Sequence, residues 1–93
     1  MKVFVLDGHE MTSIKRTHEY IAKTLNFPEY YGENLDALAD CLSEMNYENY
    51  VVLFGVADLK KHLGGYADKL FTVFGDISAS PTAFNFILCD VDK

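Results

Sequence analysis

The stretch of sequence that decides the fold class is Tyr50-Val51-Val52-Leu53-Phe54-Gly55. Its five apolar residues include adjacent β-branched valines and end at a glycine, which is the pattern of a short β-strand. Because no polar residue alternates with the apolar ones, we expect this strand to be buried on both faces, as in a parallel sheet. Two similar runs, Val3–Leu6 and Ala83–Cys89, predict one strand before it and one after it along the chain.

Between these strands, apolar residues recur at helical spacing and predict about four helices. The order β-α-α-β-α-α-β predicts an α/β fold, in which right-handed helical crossovers join a three-stranded parallel sheet. The first helix carries apolar residues from Ile14 to Leu25, with Thr12 or Ser13 as its N-cap and Pro28 beyond its end. The others are a helix capped by Asn34 with an apolar stripe from Leu35 to Met45, a short helix over Val56–Leu63, and a helix marked by apolar residues from Tyr66 to Ile77.

The length and composition indicate one small globular domain over residues 1–93, without a linker or an internal repeat. Hydrophobic residues make up 49% of the chain, which is enough for a core and too much for a disordered tail. No signal peptide is visible, and no apolar run approaches the roughly 20 residues of a membrane helix. Cys41 and Cys89 do not form a disulfide scaffold, which favours reduced, mostly buried thiols in a cytoplasmic protein.

The net charge of −6 argues against binding to nucleic acid or to an anionic membrane, because both need a basic face. The imbalance lies in one continuous segment. Residues 24–59 contain seven acidic residues and neither Lys nor Arg, whereas the rest of the chain has eight basic and seven acidic residues.

Part of this acidic segment falls on the second predicted helix. Asp36, Asp40 and Glu44 follow one another at intervals of four residues, on the side opposite the apolar stripe. Like charges at this spacing destabilise a helix by about 0.2–0.5 kcal/mol per pair, so a purely structural surface normally places bases between them. Two interpretations remain: an ordinary solvated face, or a patch that meets a cationic partner.

The loop before this helix carries Tyr30 and Tyr31 beside Gly32, and two adjacent tyrosines in a polar loop are not easily both buried. They are either interface anchors or one core tyrosine and one surface tyrosine. With them, the segment Pro28-Glu29-Tyr30-Tyr31-Gly32-Glu33-Asn34-Leu35-Asp36-Ala37-Leu38-Ala39-Asp40-Cys41-Leu42 closely resembles the central motif of the barstar family, the intracellular inhibitors of barnase-type ribonucleases. A looser resemblance covers the whole chain, including Asp7-Gly8 and Leu70–Asp76.

The resemblance implies a barstar-like fold and an inhibitor of a small basic microbial ribonuclease, bound one to one. In this family the second helix and its preceding loop plug the enzyme's active site and imitate RNA phosphates. Asp40 would lie where an RNA phosphate binds, Asp36 would pair with a basic group at the rim, and Tyr30 would stack on the catalytic histidine. The partner-binding residues implied in this way, or by the acidic helix itself, are Tyr30, Gly32, Asn34, Asp36, Ala39, Asp40, Glu44 and Asp76.

Two of these positions depart from the family pattern. Ala39 stands where the family has a tryptophan, so part of the apolar contact beside Asp40 is missing. Asp76 aligns with a family glutamate that is one methylene longer. Both departures leave the cognate ribonuclease open and are compatible with an enzyme whose rim has a different shape.

Three other functions compete with this interpretation. An enzyme is disfavoured because paired carboxylates on an exposed helix lack the cleft and the contrasting environments of acid–base catalysis, and no cofactor motif is present. A Ca²⁺ or Mg²⁺ site is disfavoured because the acids do not have EF-hand spacing, so we predict no metal site. A barstar-like immunity module for a basic protein other than a ribonuclease shares the acidic face, and the sequence does not separate it from an inhibitor.

Overall fold

The computed structural model describes residues 1–89, which form three β-strands and four α-helices. Their order is β1 (Lys2–Asp7), α1 (Ile14–Leu25), α2 (Leu35–Ser43), β2 (Asn49–Phe54), α3 (Val56–Leu63), α4 (Gly65–Ser78) and β3 (Asn85–Leu88), with a 3-10 turn at Gly8–Glu10. The strands pair in parallel in the order β1-β2-β3. The predicted α/β class, with a three-stranded parallel sheet and about four helices, is confirmed.

Local hydrogen bonds explain where the first two helices begin and end. The Ser13 hydroxyl accepts from the Arg16 amide at 3.1 Å, so Ser13 rather than Thr12 caps α1. The α1 helix ends at Asn26, whose left-handed φ of 60° is common for Asn at this position. The Asn34 side chain accepts from the Ala37 amide at 2.8 Å and caps α2 as predicted.

The prediction that β2 is buried on both faces is wrong. Val51 and Leu53 are fully buried, but the alternate residues Tyr50, Val52 and Phe54 are only half-buried. The reason is the strand order: both crossovers step across the sheet in the same direction, and right-handed crossovers that do so place their helices on the same face. The second face of the sheet therefore leaves apolar side chains in solvent; Val3, Val5 and Ile87 are 53%, 51% and 46% exposed.

The carboxyl ends of β1 and β2 meet at a pair of glycines. A Cβ atom on Gly8 would lie 2.3 Å from the Gly55 carbonyl oxygen, so no larger residue fits there. Gly55 has a φ of 70° and starts α3, which packs on the 3-10 turn after β1. Between the helices and the covered sheet face lies the core, whose largest fully buried side chains include Phe74, Phe84 and Leu6.

Candidate functional site

The α2 helix has one buried side and one charged side. Leu38 and Leu42 are fully buried in the core, and α2 packs against α4. On the other side Asp36 and Asp40 are exposed, and Glu44 follows in the same row at the end of the helix. We call the exposed surface of Asp36, Asp40 and Glu44 the acidic face. Its predicted exposure is confirmed; a role in binding is a separate question.

No ion pair within residues 1–89 neutralises the acidic face. The described ion pairs lie on other elements: Arg16 with Glu10 at 3.2 Å, Lys15 with Glu19 at 3.8 Å, and His9 with Asp58 at 2.6 Å. A cationic surface could meet the carboxylates of the acidic face without first displacing a basic side chain of the described chain.

Glu44 occupies a position that is unfavourable for the helix itself. It is the C-cap residue of α2, and its amide donates to the Cys41 and Leu42 carbonyl oxygens. The carboxyl end of a helix carries a partial negative charge, and the last turn of α2 contains no basic residue. Asp36, in contrast, lies in the first turn, where its negative charge is favourable. The placement of Glu44 therefore has no local stabilising explanation.

The two adjacent tyrosines of the α1–α2 loop (residues 26–34) have different environments. Tyr30 is 89% exposed, whereas Tyr31 is half-buried and packs against the core. The Tyr31 ring lies 5.0 Å from that of Phe27, and its hydroxyl is hydrogen-bonded to His18 Nδ1 at 2.7 Å. Of the two interpretations of the pair, one core and one surface tyrosine is the observed arrangement. It leaves Tyr30 as an exposed aromatic side chain next to the acidic helix.

Gly32 and Glu33 lie between Tyr31 and α2, and their backbone conformations differ. Gly32 is exposed and does not have a positive φ, and a Cβ atom there would make ordinary contacts at 3.4 Å with Ala37 and Asn34. The fold therefore does not itself require a glycine at this position. Glu33 has a left-handed φ of 54°, which costs a non-glycine residue about 1–2 kcal/mol. This conformation leads the chain into the Asn34 cap.

The remaining residues implied by the family resemblance lie on two packed helices. Ala39 is half-buried on α2 immediately before Asp40. Asp76 is exposed on α4, the helix against which α2 packs. Asn34 is exposed and caps α2. The eight predicted residues thus belong to α2, the loop that precedes it and the neighbouring α4.

The environment of Cys41 keeps its thiol protonated. Burial raises the pKa of Cys41, and the negative charges of Glu44 and Asp40 raise it further. Cys41 and Cys89 are both half-buried and free. Cys41 is therefore poorly suited to act as a nucleophile, because the thiolate is the reactive form.

Sequence reasoning missed the contacts of His18, which lies on α1. His18 is fully buried, and its two ring nitrogens are hydrogen-bonded to Tyr31 and Tyr66. The available signal was a polar residue at a core position, which requires hydrogen-bond partners somewhere in the fold. The identity of those partners depends on packing between distant segments.

Residues 1–89 contain no cluster of three or more His, Cys, Asp or Glu side chains arranged to hold a metal ion. Over the same residues, none of the helices is both long enough and apolar enough to cross a membrane.

Fold and site together define a small α/β domain whose surface presents an exposed tyrosine and an acidic helix that forms no ion pair within residues 1–89. The sequence profile of the family described as Barstar (barnase inhibitor) matches residues 1–89. The chain therefore belongs to the barstar family, as its resemblance predicts. A Bacillus subtilis (strain 168) protein named "Putative ribonuclease inhibitor YrdF" is 36% identical to it over 74 residues, which are 78% of this chain and 81% of that protein.

Proposed function

We propose that this protein inhibits a small basic microbial ribonuclease by inserting α2 and the α1–α2 loop into its active site, in a one-to-one complex. The observation that carries the proposal is the acidic face, which forms no ion pair within residues 1–89 and whose helix directly follows the loop that carries the exposed Tyr30. Membership of the barstar family and the name of the Bacillus relative support a role as a ribonuclease inhibitor in general.

The physical basis of inhibition is imitation of the substrate's charge. A ribonuclease active site is basic because RNA is polyanionic, and a row of carboxylates satisfies the same cations without offering a bond to cleave. Asp40 takes the place of an RNA phosphate, and Asp36 pairs with a basic group at the rim. The opposite net charges of inhibitor and enzyme also steer their encounter.

The other proposed contacts surround these two carboxylates. Tyr30 supplies a rigid aromatic surface for the catalytic histidine, and Gly32 allows the enzyme to approach the loop backbone. Ala39 leaves room beside Asp40 for a bulkier group on the enzyme. The outer contacts are Asn34, Glu44 and Asp76.

A cytoplasmic site of action is part of the proposal. Cys41 and Cys89 are free and half-buried, which is typical of proteins in a reducing compartment. A barnase-type enzyme made by the same cell is the target that most needs an inhibitor there.

Titration of the protein into an RNA-cleavage assay with barnase-type ribonucleases tests the function. We expect stoichiometric loss of activity at one inhibitor per enzyme. Ribonuclease A, which is also basic, serves as a control for non-specific charge binding. If no barnase-type enzyme is inhibited at micromolar protein, the proposal is wrong, and binding of another basic protein becomes the better explanation.

A pair of variants locates the inhibitory surface. Asp40→Ala should raise the inhibition constant by at least about 30-fold, the size of an interface hot spot. Glu48→Ala removes an equal charge from an exposed residue beyond α2 and should raise it by only a few fold, through weaker steering. Circular dichroism and urea unfolding check that both variants fold. Equal effects of the two substitutions would show that the acidic face is not the site.

A further inference from the structure

His18 connects the α1–α2 loop to a second part of the fold. Its Nδ1 atom lies 2.7 Å from the Tyr31 hydroxyl, and its Nε2 atom lies 2.6 Å from the Tyr66 hydroxyl. Tyr31 belongs to the loop, and Tyr66 lies near the start of α4. The histidine itself is on α1 and is fully buried. A single side chain therefore joins α1, the loop and α4.

A neutral imidazole satisfies this arrangement completely. The N–H of one ring nitrogen donates a hydrogen bond to a tyrosine hydroxyl, and the other nitrogen accepts one from the second tyrosine. Burial lowers the pKa of His18 and thereby favours this neutral form, against a weaker opposing effect of Glu33. The two rings also contact the imidazole, with centroids 5.8 Å and 6.0 Å away. The fully buried histidine and the two half-buried tyrosines form one unit in which each ring nitrogen of His18 has a partner.

The loop has few other ties to the body of the protein. Its first residue after the α1 cap, Phe27, donates its amide to the Ala22 carbonyl oxygen at 2.9 Å. The other described hydrogen bonds to the loop backbone stay within the loop. The Tyr31 amide donates to the Pro28 carbonyl oxygen, and the Asn34 side chain donates to the Gly32 carbonyl oxygen. Among residues 28–33, the Tyr31 hydroxyl is thus the group whose hydrogen bond reaches another element.

Tyr31 stands between the two loop residues that we assign to the partner. Tyr31 is joined by peptide bonds to Tyr30 and Gly32. Restraining its side chain therefore also restrains the two peptide groups that connect it to these residues. A loop that is already ordered in its bound conformation loses less entropy on binding than a mobile one.

We propose that His18 is a positioning residue for inhibition: held by Tyr66 on one side, it holds Tyr31 on the other and thereby orders the loop that presents Tyr30 and Gly32. This inference rests on the proposed function, because it assigns the loop's order a purpose in binding. Loop order itself is measurable in the free protein, so the two claims can fail separately.

The test uses three Tyr→Phe variants that each remove one hydroxyl. Tyr66→Phe and Tyr31→Phe remove the two partners of His18. Tyr20→Phe is the matched control, because its hydroxyl accepts from the Asp7 amide at 2.8 Å in a partly buried setting away from the loop. Urea unfolding should show comparable losses of stability for Tyr66→Phe and Tyr20→Phe, since each loses one hydrogen bond.

The first readout is the 15N relaxation of residues 29–33 in the free protein. Tyr66→Phe and Tyr31→Phe should lower the order parameters of these amides from about 0.85 towards 0.6, and Tyr20→Phe should leave them unchanged. The double variant should show little further loss beyond Tyr31→Phe, because both hydroxyls act through one histidine. Unchanged loop order in Tyr66→Phe, or an equal loss in Tyr20→Phe, would overturn the positioning role.

The second readout is the dissociation constant for an inhibited ribonuclease. Tyr66→Phe should weaken binding by roughly five-fold, the equivalent of one hydrogen bond, although Tyr66 is not among the partner-binding residues; Tyr20→Phe should not change it. A loop that loosens without any loss of affinity would refute the link between loop order and binding. If no ribonuclease is inhibited, the proposed function fails, while the relaxation measurement still decides whether His18 orders the loop.

Discussion

Among single residues, His18 links the stability of the fold to the protonation of a buried side chain. Burial lowers its pKa from 6.5, so the unfolded chain binds a proton before the folded chain does as the pH falls. The groups facing it are the Tyr31 and Tyr66 hydroxyls, whose own pKa values burial raises, and the more distant carboxylate of Glu33. The stabilising contribution of neutral His18 is therefore complete above pH 6.5 and is lost as the pH falls through its lower folded pKa.

This linkage predicts a loss of stability on mild acidification. The free energy of unfolding in urea should be lower at pH 5 than at pH 7.5, and the difference should shrink in His18→Gln, which cannot take up the proton. The His9–Asp58 pair is present in both proteins and cancels from the comparison. An identical pH dependence in His18→Gln and the wild type would contradict the prediction.

The residue scale also shows where sequence reasoning stops. The exposure of Asp36 and Asp40 could be predicted, because a helical period is a local property. The choice between Tyr30 and Tyr31 as the packed tyrosine could not, since it depends on His18, which lies 13 residues before Tyr31. The Tyr66 contact spans 48 residues and has no local sequence signal.

Among the secondary-structure elements, α2 combines a stabilising charge at one end with a destabilising one at the other. Asp36 lies in the first turn, where the helix dipole favours a negative charge, and Glu44 caps the last turn, where it does not. The caps at Ser13 and Asn34 were predictable from sequence because capping is local. The end of α2 at Ser43, before the predicted stripe finishes at Met45, was not marked by a glycine or proline.

Neutralising a carboxylate should therefore have opposite effects on stability at the two ends of α2. Glu44→Gln should raise the free energy of unfolding by about 0.3–1 kcal/mol, and Asp36→Asn should lower it by a similar amount. Urea unfolding at low ionic strength measures both changes. Both variants should nevertheless inhibit the ribonuclease less well, because each removes part of the acidic face. A loss of stability in Glu44→Gln would mean that its carboxylate has a structural partner.

For the whole molecule, the direction of the two crossovers decides which face of the sheet the helices cover. The parallel sheet and its strand number were predictable from the order of elements. The coverage of the sheet was not predictable in the same way: the prediction that β2 is buried on both faces is wrong, because coverage depends on the spatial order β1-β2-β3, which the apolar sequence of β2 does not encode. The half-buried Tyr50 and Val52 are the residues that show it.

The net charge of −6 also belongs to the whole molecule, and it predicts how salt affects the rate of association with a basic ribonuclease. Raising the ionic strength from about 0.1 M to 1 M shortens the screening length from about 10 Å to 3 Å, so the association rate with a basic ribonuclease should fall steeply. The dissociation rate should change much less, because contacts within the complex are shielded from salt. Stopped-flow mixing measures the first rate and competition with excess inhibitor the second. An association rate independent of salt would argue against electrostatic steering.

The open side of the sheet has a further consequence for the protein in concentrated solution. Val3, Val5 and Ile87 give each copy an apolar area on which another copy can adhere. At neutral pH the surplus of carboxylates makes copies repel one another and keeps those areas apart. Near the isoelectric point of about 4.8, where protonation of carboxylates has cancelled the net charge, the repulsion disappears and the adhesive area remains. The negative charge thus also keeps the protein dispersed, and we expect copies to aggregate at a pH where the net charge is close to zero.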